Sequence, residues 1–272
     1  MYIHDSHVHT KYSFDVEKDI NGEIDTIIET AIARGVNEIS LCDHCDIDDI
    51  LDGIYPPFEA DIIKADILRA KEKYAGKIRI NYGVELGQAH ARRAEAMALM
   101  EKQGFDFIIG SLHNLRGYID FHFIKFDQLC DEHINYLMVR TLSELEELVD
   151  FACFSTLAHI TYIQRYLALA GKPFDHTKYA DSYERLFKKL IATSTSLEVN
   201  TSGLRRNSIT MPGRELLYMY RECGGELITL GSDAHSAVDV GKGIEEAAVM
   251  LRELGFKSQC VVRDGKLTQI EL

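Results

Sequence analysis

Short apolar runs alternate along the chain with stretches whose apolar residues recur at helical spacing. The runs at 3–9, 38–42, 78–84, 107–111, 154–158, 196–200 and 227–232 read as strands. Between the first two, Ile24, Ile27, Ile28, Ala31 and Ile32 mark one buried helical face, and Gly35 follows where a left-handed residue closes a helix. The same periodicity predicts helices over 60–74, 89–103, 127–150, 177–193, 213–223 and 238–254. The pattern amounts to seven β/α units, followed by a hairpin of 259–263 and 267–271 turning at Asp264-Gly265. It predicts an α/β protein with a parallel sheet, either open and doubly wound or closed into a barrel. No glycine-rich phosphate loop follows the first strand, which argues against a nucleotide-binding doubly wound sheet. The longest irregular stretches, 45–59 and 114–126, are expected to form lids over a site.

The predicted strands share one chemical feature. The first ends in His7-Val8-His9 with Asp15 just beyond, the second in Asp43-His44 and the third in Glu85. The fourth ends in His113, the fifth in His159 and the seventh in Asp233-Ala234-His235. Strand ends of this polarity form the active face of β/α barrels. Residues two apart on a strand point the same way, so His7 and His9 can approach one cation, as can Asp233 and His235. A single strand-end histidine is ordinarily a solvated or core residue, but nine ligand-type groups on one face exceed what one ion requires. The pattern predicts a cluster of two or three divalent metals held by His7, His9, Asp15, His44, Glu85, His113, His159, Asp233 and His235. Mixed imidazole and carboxylate suit zinc, manganese or iron better than calcium. The remaining histidines sit elsewhere: His4 is expected to face away, and His90, His133 and His176 fall in helical or loop stretches. His122, in Phe121-His122-Phe123, lies in the second lid, where it could meet substrate.

Composition narrows the class. The chain of 272 residues, 46% hydrophobic and 27% charged, can bury one large core, and neither a linker nor a repeat divides 1–272 into more than one domain. Its net charge of -13, without a basic run interleaved with aromatics, argues against nucleic acid as a partner. No apolar run has the length of a membrane span and no signal peptide opens the chain, so a cytoplasmic protein is expected. The six cysteines are scattered; Cys42 and Cys45 form a CxxC with no second pair to complete a zinc site, and all six are expected to be reduced.

The motif series as a whole resembles the PHP (polymerase and histidinol phosphatase) superfamily. The resemblance is carried by His7-x-His9-Thr10 with Asp15, then Asp43-His44, Gly83-Val84-Glu85, Gly110-Ser111-Leu112-His113, Ala158-His159 and Ser232-Asp233-Ala234-His235, in order across the chain. It implies a distorted (β/α)7 barrel with a trinuclear metal site. Within the superfamily the chain looks like the stand-alone histidinol-phosphate phosphatases, which implies hydrolysis of L-histidinol phosphate by a metal-bound hydroxide. It further implies that His7, His9, Glu85 and Asp233 surround one metal. Glu85 bridges to a second metal held by His113 and His159, and Asp15, His44 and His235 complete a third. Arg165 and Arg205, following the fifth and sixth strands, are the expected phosphate-binding residues, with Arg116 and Arg206 as weaker candidates. Asp46, Asp48, Asp49 or Asp52 in the first lid could pair with the amine of histidinol. Other readings are a phosphoesterase acting on a nucleotide, an oligonucleotide end or a sugar phosphate, a non-catalytic metal-stabilised module, and a barrel hydrolase acting on amides.

Overall fold

The computed structural model of the chain describes its 272 residues apart from 152, 153, 173 and 264 and the side chain of Asn207. Strands β1 (His4–Val8), β2 (Glu38–Leu41), β3 (His44–Asp46), β4 (Arg79–Gly87), β5 (Phe107–Ser111), β6 (Thr156–Leu157), β7 (Ser196–Asn200) and β8 (Ile228–Gly231) form one parallel sheet. They run in the order β1-β2-β4-β5-β6-β7-β8, with β3 pairing β4. The sheet curls until its edges meet. Between β8 and β1 the ladder gives way to a single bridge, Val8 to Ala234, and scattered bonds, among them Ser6 Oγ to the Leu230 carbonyl at 2.9 Å, Ser232 N to Asp5 Oδ1 at 2.8 Å, Asp233 N to the His7 carbonyl at 2.8 Å and His9 N to the Ala234 carbonyl at 2.9 Å. Irregular closure of this kind is the distortion expected of a seven-unit barrel.

Helices cover the outside, most of the longer ones burying one apolar face. In α1 (Ile24–Ala33) the buried residues are Ile24, Ile27, Ile28 and Ala31, packed with Val8, Ile39 and Leu41 of the sheet. Burying each isoleucine side chain is worth about 1.5–3 kcal/mol. Gly35 follows at φ 73°, a conformation that costs glycine least. Further helices are α2 (Ile47–Leu51), α3 (Ala60–Lys73), α4 (Arg93–Gln103), α5 (Asp131–Phe151), α6 (Tyr162–Leu169), α7 (Ala180–Thr193), α8 (Ser202–Asn207), α9 (Arg214–Glu222) and α10 (Ile244–Glu253). No helix among the described residues is long and apolar enough to cross a membrane.

The hairpin β9 (Ser258–Arg263) and β10 (Lys266–Glu271) pairs antiparallel, with Lys266 opposite Arg263; its expected turn residue Asp264 lies outside the described residues. It closes the end of the barrel opposite the strand C-termini. Val262 packs with Phe107 and Ile109, and Arg263 Nη1 lies 2.7 Å from the Glu38 carboxylate at the start of β2. The C-terminal ends therefore remain as the open mouth.

The expected boundaries hold for most elements. Two differences matter for the site. The segment 45–59 is not wholly irregular: β3 and α2 occupy its beginning, and β3 aligns His44 beside Glu85 of β4. The fifth predicted strand shrinks to Thr156–Leu157, because the chain turns at His159 with φ 26°.

A candidate metal centre at the barrel mouth

All nine predicted ligands converge on the open end, around the carboxylate of Glu85. Its Oε1 lies 2.8 Å from His159 Nε2 and 3.1 Å from His113 Nε2. Its Oε2 lies 2.8 Å from His44 Nδ1, 3.3 Å from His7 Nε2 and 3.5 Å from His9 Nε2. A second carboxylate, Asp233, places Oδ1 3.3 Å from His9 Nε2, 3.5 Å from His235 Nδ1 and 3.9 Å from His7 Nε2. Asp15 completes the outer side, with Oδ2 2.8 Å from His235 Nε2 and 3.5 Å from His44 Nε2. Four overlapping triads have their ligand atoms within 4.8 Å of one another: His9-His44-His235, His7-His9-Glu85, His7-His159-Glu198 and His44-Glu85-His113.

Several features fit a cation. His44 Nδ1 and Glu85 Oε2 are 2.8 Å apart, yet both are buried and neither has a hydrogen-bond partner. The Nε2 atoms of His7 and His9 approach to 3.1 Å, which suits two lone pairs converging on one ion. Hydrogen bonding on the far side of the rings sets this direction. Ser13 gives its proton to Asp43 Oδ1 at 2.8 Å, so it accepts from His9 Nδ1 at 3.0 Å and leaves His9 Nε2 as the lone-pair atom. His7 Nδ1 donates to Glu198 Oε1 at 2.7 Å, and His113 Nδ1 to Asp46 Oδ1 at 2.6 Å. Carboxylates behind ligating imidazoles fix their tautomer and raise their basicity.

Electrostatics follow the same layout. Burial pulls His7, His44 and His113 down, but neighbouring carboxylates outweigh it and hold all three well above the ordinary histidine range. For His7 these are Glu198, Glu85 and Asp233; for His44, Glu85 and Asp15; for His113, Asp46 and Glu85. His9 is pushed down to about 3, first by its burial and then by the neighbouring charges of His235 and His44. Against their own desolvation, Glu85 and Asp233 are held well below the carboxylate range by these histidines. Protons on imidazoles here compensate buried carboxylates, a role a divalent ion fills when the rings are neutral.

Two of the predicted ligand positions carry backbone strain: His159 at φ 26° and Asp233 at φ 52°. For residues with a Cβ such conformations cost about 1–3 kcal/mol and persist only where the surroundings fix them. His159 N donates to Glu198 Oε2 at 3.0 Å; Asn200 Nδ2 and Ser202 Oγ donate to Asp233 Oδ2 at 3.3 and 3.1 Å. Gly231 leaves room for the Glu198–His7 pair, since a Cβ there would stand 2.5 Å from Glu198 Oε1 and 2.6 Å from the His7 Cβ.

Beside the cluster lies a cavity of about 410 Å³ lined by Asp15, His44, His113, His159, Asp233 and His235 together with Phe14, Tyr55, Asp120, His122, Phe123, Tyr162, Arg165, Tyr166 and Arg206. Arg165, nearly buried, reaches into it while donating to Ser202 Oγ at 3.0 Å; its Nε has no partner. Arg205 does not line this cavity. Its Nη2 donates to the carbonyls of Ser232 and Asp233 at 2.9 and 3.2 Å, bracing the loop that carries Asp233 from a neighbouring depression. Arg206, one position on, borders both. Arg116 pairs with Glu147 away from the mouth.

The four acids of the first lid do not line the cavity. Asp46 is taken by His113, Asp48 accepts from Asn114 at 3.2 Å, Asp49 is buried and Asp52 pairs with Arg92 at the surface. His4 faces away as expected, bonded to Ser40 at 2.9 Å. Cys42, Cys45, Cys130, Cys223 and Cys260 are free; Cys153 lies outside the described residues. Sequence reasoning missed Glu198 and Asp120, and it named Asp46 for a different role from the bond to His113 that the structure shows. Glu198 had a signal: a carboxylate inside a strand whose five residues are all buried needs a charged partner.

Comparisons with known proteins agree with this geometry. The model of the PHP domain family matches residues 5–202. The chain is 27% identical over 264 residues to a probable histidinol-phosphatase of Thermotoga maritima, covering 96% of each. It is 26% identical over 260 residues to the histidinol-phosphatase of Lactococcus lactis subsp. lactis, covering 93% of this chain and 91% of that one. A solved structure of histidinol phosphate phosphatase from Lactococcus lactis, complexed with zinc, L-histidinol and phosphate, superposes with a TM-score of 0.82 at 22% identity over 98% of both chains.

Proposed function

The chain belongs to the PHP domain family, and from that premise we propose that it hydrolyses L-histidinol phosphate to L-histidinol and phosphate as a metal-dependent phosphomonoesterase of histidine biosynthesis. The observation that carries the reading is the Glu85 hub: one buried carboxylate touching five imidazoles beside a cavity that also holds Arg165. Relatives named histidinol-phosphatase match nearly the full chain, and the superposed phosphatase holds the product pair and zinc.

His7, His9, Glu85 and Asp233 would hold one ion, Glu85 with His113 and His159 a second, and Asp15, His44 and His235 a third, with zinc, manganese or iron suited to such donors. Ions held there supply Lewis acidity and an acidified water for in-line attack on phosphorus. The chain's own residues then bind and orient. Arg165, fixed by Ser202 and stacked over the Tyr162 ring at 5.2 Å, offers its guanidinium fork to the phosphoryl oxygens; Arg206 lines the same cavity. Arg205 keeps Asp233 in its strained conformation from behind. Placement and electrostatic compensation are what phosphoryl transfer asks of a protein.

The test is phosphate release by purified protein with added zinc or manganese, across histidinol phosphate, mononucleotides and sugar phosphates. A catalytic efficiency for histidinol phosphate more than tenfold above the others, about 1.4 kcal/mol, supports the reading. A smaller preference removes histidinol phosphate as the substrate.

A further inference from the structure

We infer that Asp120 determines substrate specificity: its carboxylate receives the cationic amine of an amino-alcohol phosphate, while the phosphoryl group faces Arg165 and the Glu85 cluster. The inference rests on the phosphomonoesterase reading above and adds to it the feature of the substrate that the cavity selects.

Asp120 lies in the second lid, immediately before a short turn of helix at Phe121–Phe123, and lines the same cavity as the ligand histidines. Its Oδ1 accepts both the His122 N–H at 2.7 Å and the Tyr162 hydroxyl at 3.4 Å. Among the described residues no bond falls on Oδ2, and no lysine or arginine pairs with Asp120. The charges that reach Asp120 are those of the His113 and His122 imidazoles, neither of which bonds to Oδ2, so this half-buried carboxylate keeps an oxygen open to a cationic group from the cavity.

The Tyr162 side chain sets the spacing. Its ring centroid lies 5.1 Å from that of His113 and 5.4 Å from that of His159, while its hydroxyl reaches Asp120. One phenol therefore runs from the ligand histidines to the acid, giving the cavity a phosphoryl end and an anionic end. A second sign of that polarity is Tyr55 on the cavity wall, whose phenol is raised well above its usual range by burial and by Asp120, Asp46, Asp49 and Asp15. The Tyr55 ring stacks on Phe14, centroids 3.9 Å apart and 13° from parallel. Such a face suits a flat group such as an imidazole, and aromatic surfaces also favour a neighbouring cation.

The competing role for Asp120 is purely local: it caps the turn through Oδ1. Asparagine caps equally well, so Asp120→Asn removes the charge and keeps the cap. Binding of L-histidinol and of its des-amino analogue to the metal-loaded protein, measured by calorimetry, gives a preference ratio for the amine in wild type and variant. Hydrolysis of 2-aminoethyl phosphate against ethyl phosphate gives a second ratio that does not require histidinol phosphate to be the substrate. Both ratios are expected to fall at least tenfold in Asp120→Asn. Smaller falls overturn the inference and leave Asp120 as a turn cap. If the variant fails to fold in thermal melts, Asp120→Ser, which also caps, takes its place. A wild-type protein that favours aminoalkyl phosphates through Asp120 but ignores histidinol phosphate would contradict the proposed substrate and uphold the inference.

Discussion

Glu198 accepts a hydrogen bond from His7 at 2.7 Å, across 191 positions of sequence, and its other oxygen holds the backbone N–H of His159 at 3.0 Å. One carboxylate thus orients a ring from β1 and strains the backbone after β6. Replacing it with glutamine keeps the shape and removes the charge that makes His7 basic. Glu198→Gln should bind zinc about 10–100-fold more weakly, the range for such supporting residues. Chelator competition measures this; an affinity within threefold of wild type would show that Glu198 is only a packing group.

The two arginines should separate cleanly. Arg165→Ala should raise KM and lower kcat/KM by about 10²-fold with metal content unchanged, since its lost hydrogen bonds are to a charged phosphoryl group, each worth about 1.5–3 kcal/mol. Arg205→Ala should lower metal occupancy as well, because Arg205 braces the Asp233 carbonyl. Metal analysis of the two purified variants decides; equal metal content in both would place Arg205 at the substrate instead.

Metal-free protein should lose stability as pH rises. His7, His44 and His113 are held well above 6.5 by buried carboxylates, so they bind more protons folded than unfolded. Their contribution is complete below 6.5 and fades as pH climbs through the raised values. The depressed Glu85 and Asp233 act oppositely, withdrawing their contribution only in acid. Zinc needs the rings deprotonated, so its affinity should increase over the alkaline window in which the metal-free protein weakens. Thermal melts followed from pH 6.5 upward into the alkaline range, with chelator and with zinc, should diverge. Parallel curves would refute this coupling.

Gly231→Ala tests the space behind the site. The added methyl would meet Glu198 Oε1 at 2.5 Å and the His7 Cβ at 2.6 Å. Overpacking of this kind costs about 1–3 kcal/mol, and displacement of either partner should weaken metal binding too. Denaturant unfolding with metal titration would show both losses, whereas a variant unchanged in both would mean the pair yields freely.

Much of this was legible because the candidate ligands sit at strand ends, where alternation and apolar runs mark position well. Glu85 and Asp233 stand out as acids closing apolar runs. Their supporting carboxylates were not legible as such: Asp46 meets His113 across 67 positions and looks like one more acid in an acidic lid. The three residues of β3 are too few for any periodicity to show. The sequence favoured Arg205 over Arg206, yet adjacent helical residues point about 100° away from one another, and in the folded chain it is Arg206 that lines the cavity.

Metal-dependent phosphate release is the property that follows most directly from the Glu85-centred cluster. Chelator-stripped protein, titrated with zinc or manganese and assayed on L-histidinol phosphate, should begin inactive and regain full rate only after more than one equivalent of metal binds. Full activity in the stripped protein, or saturation at a single equivalent, would contradict the shared, Glu85-centred site.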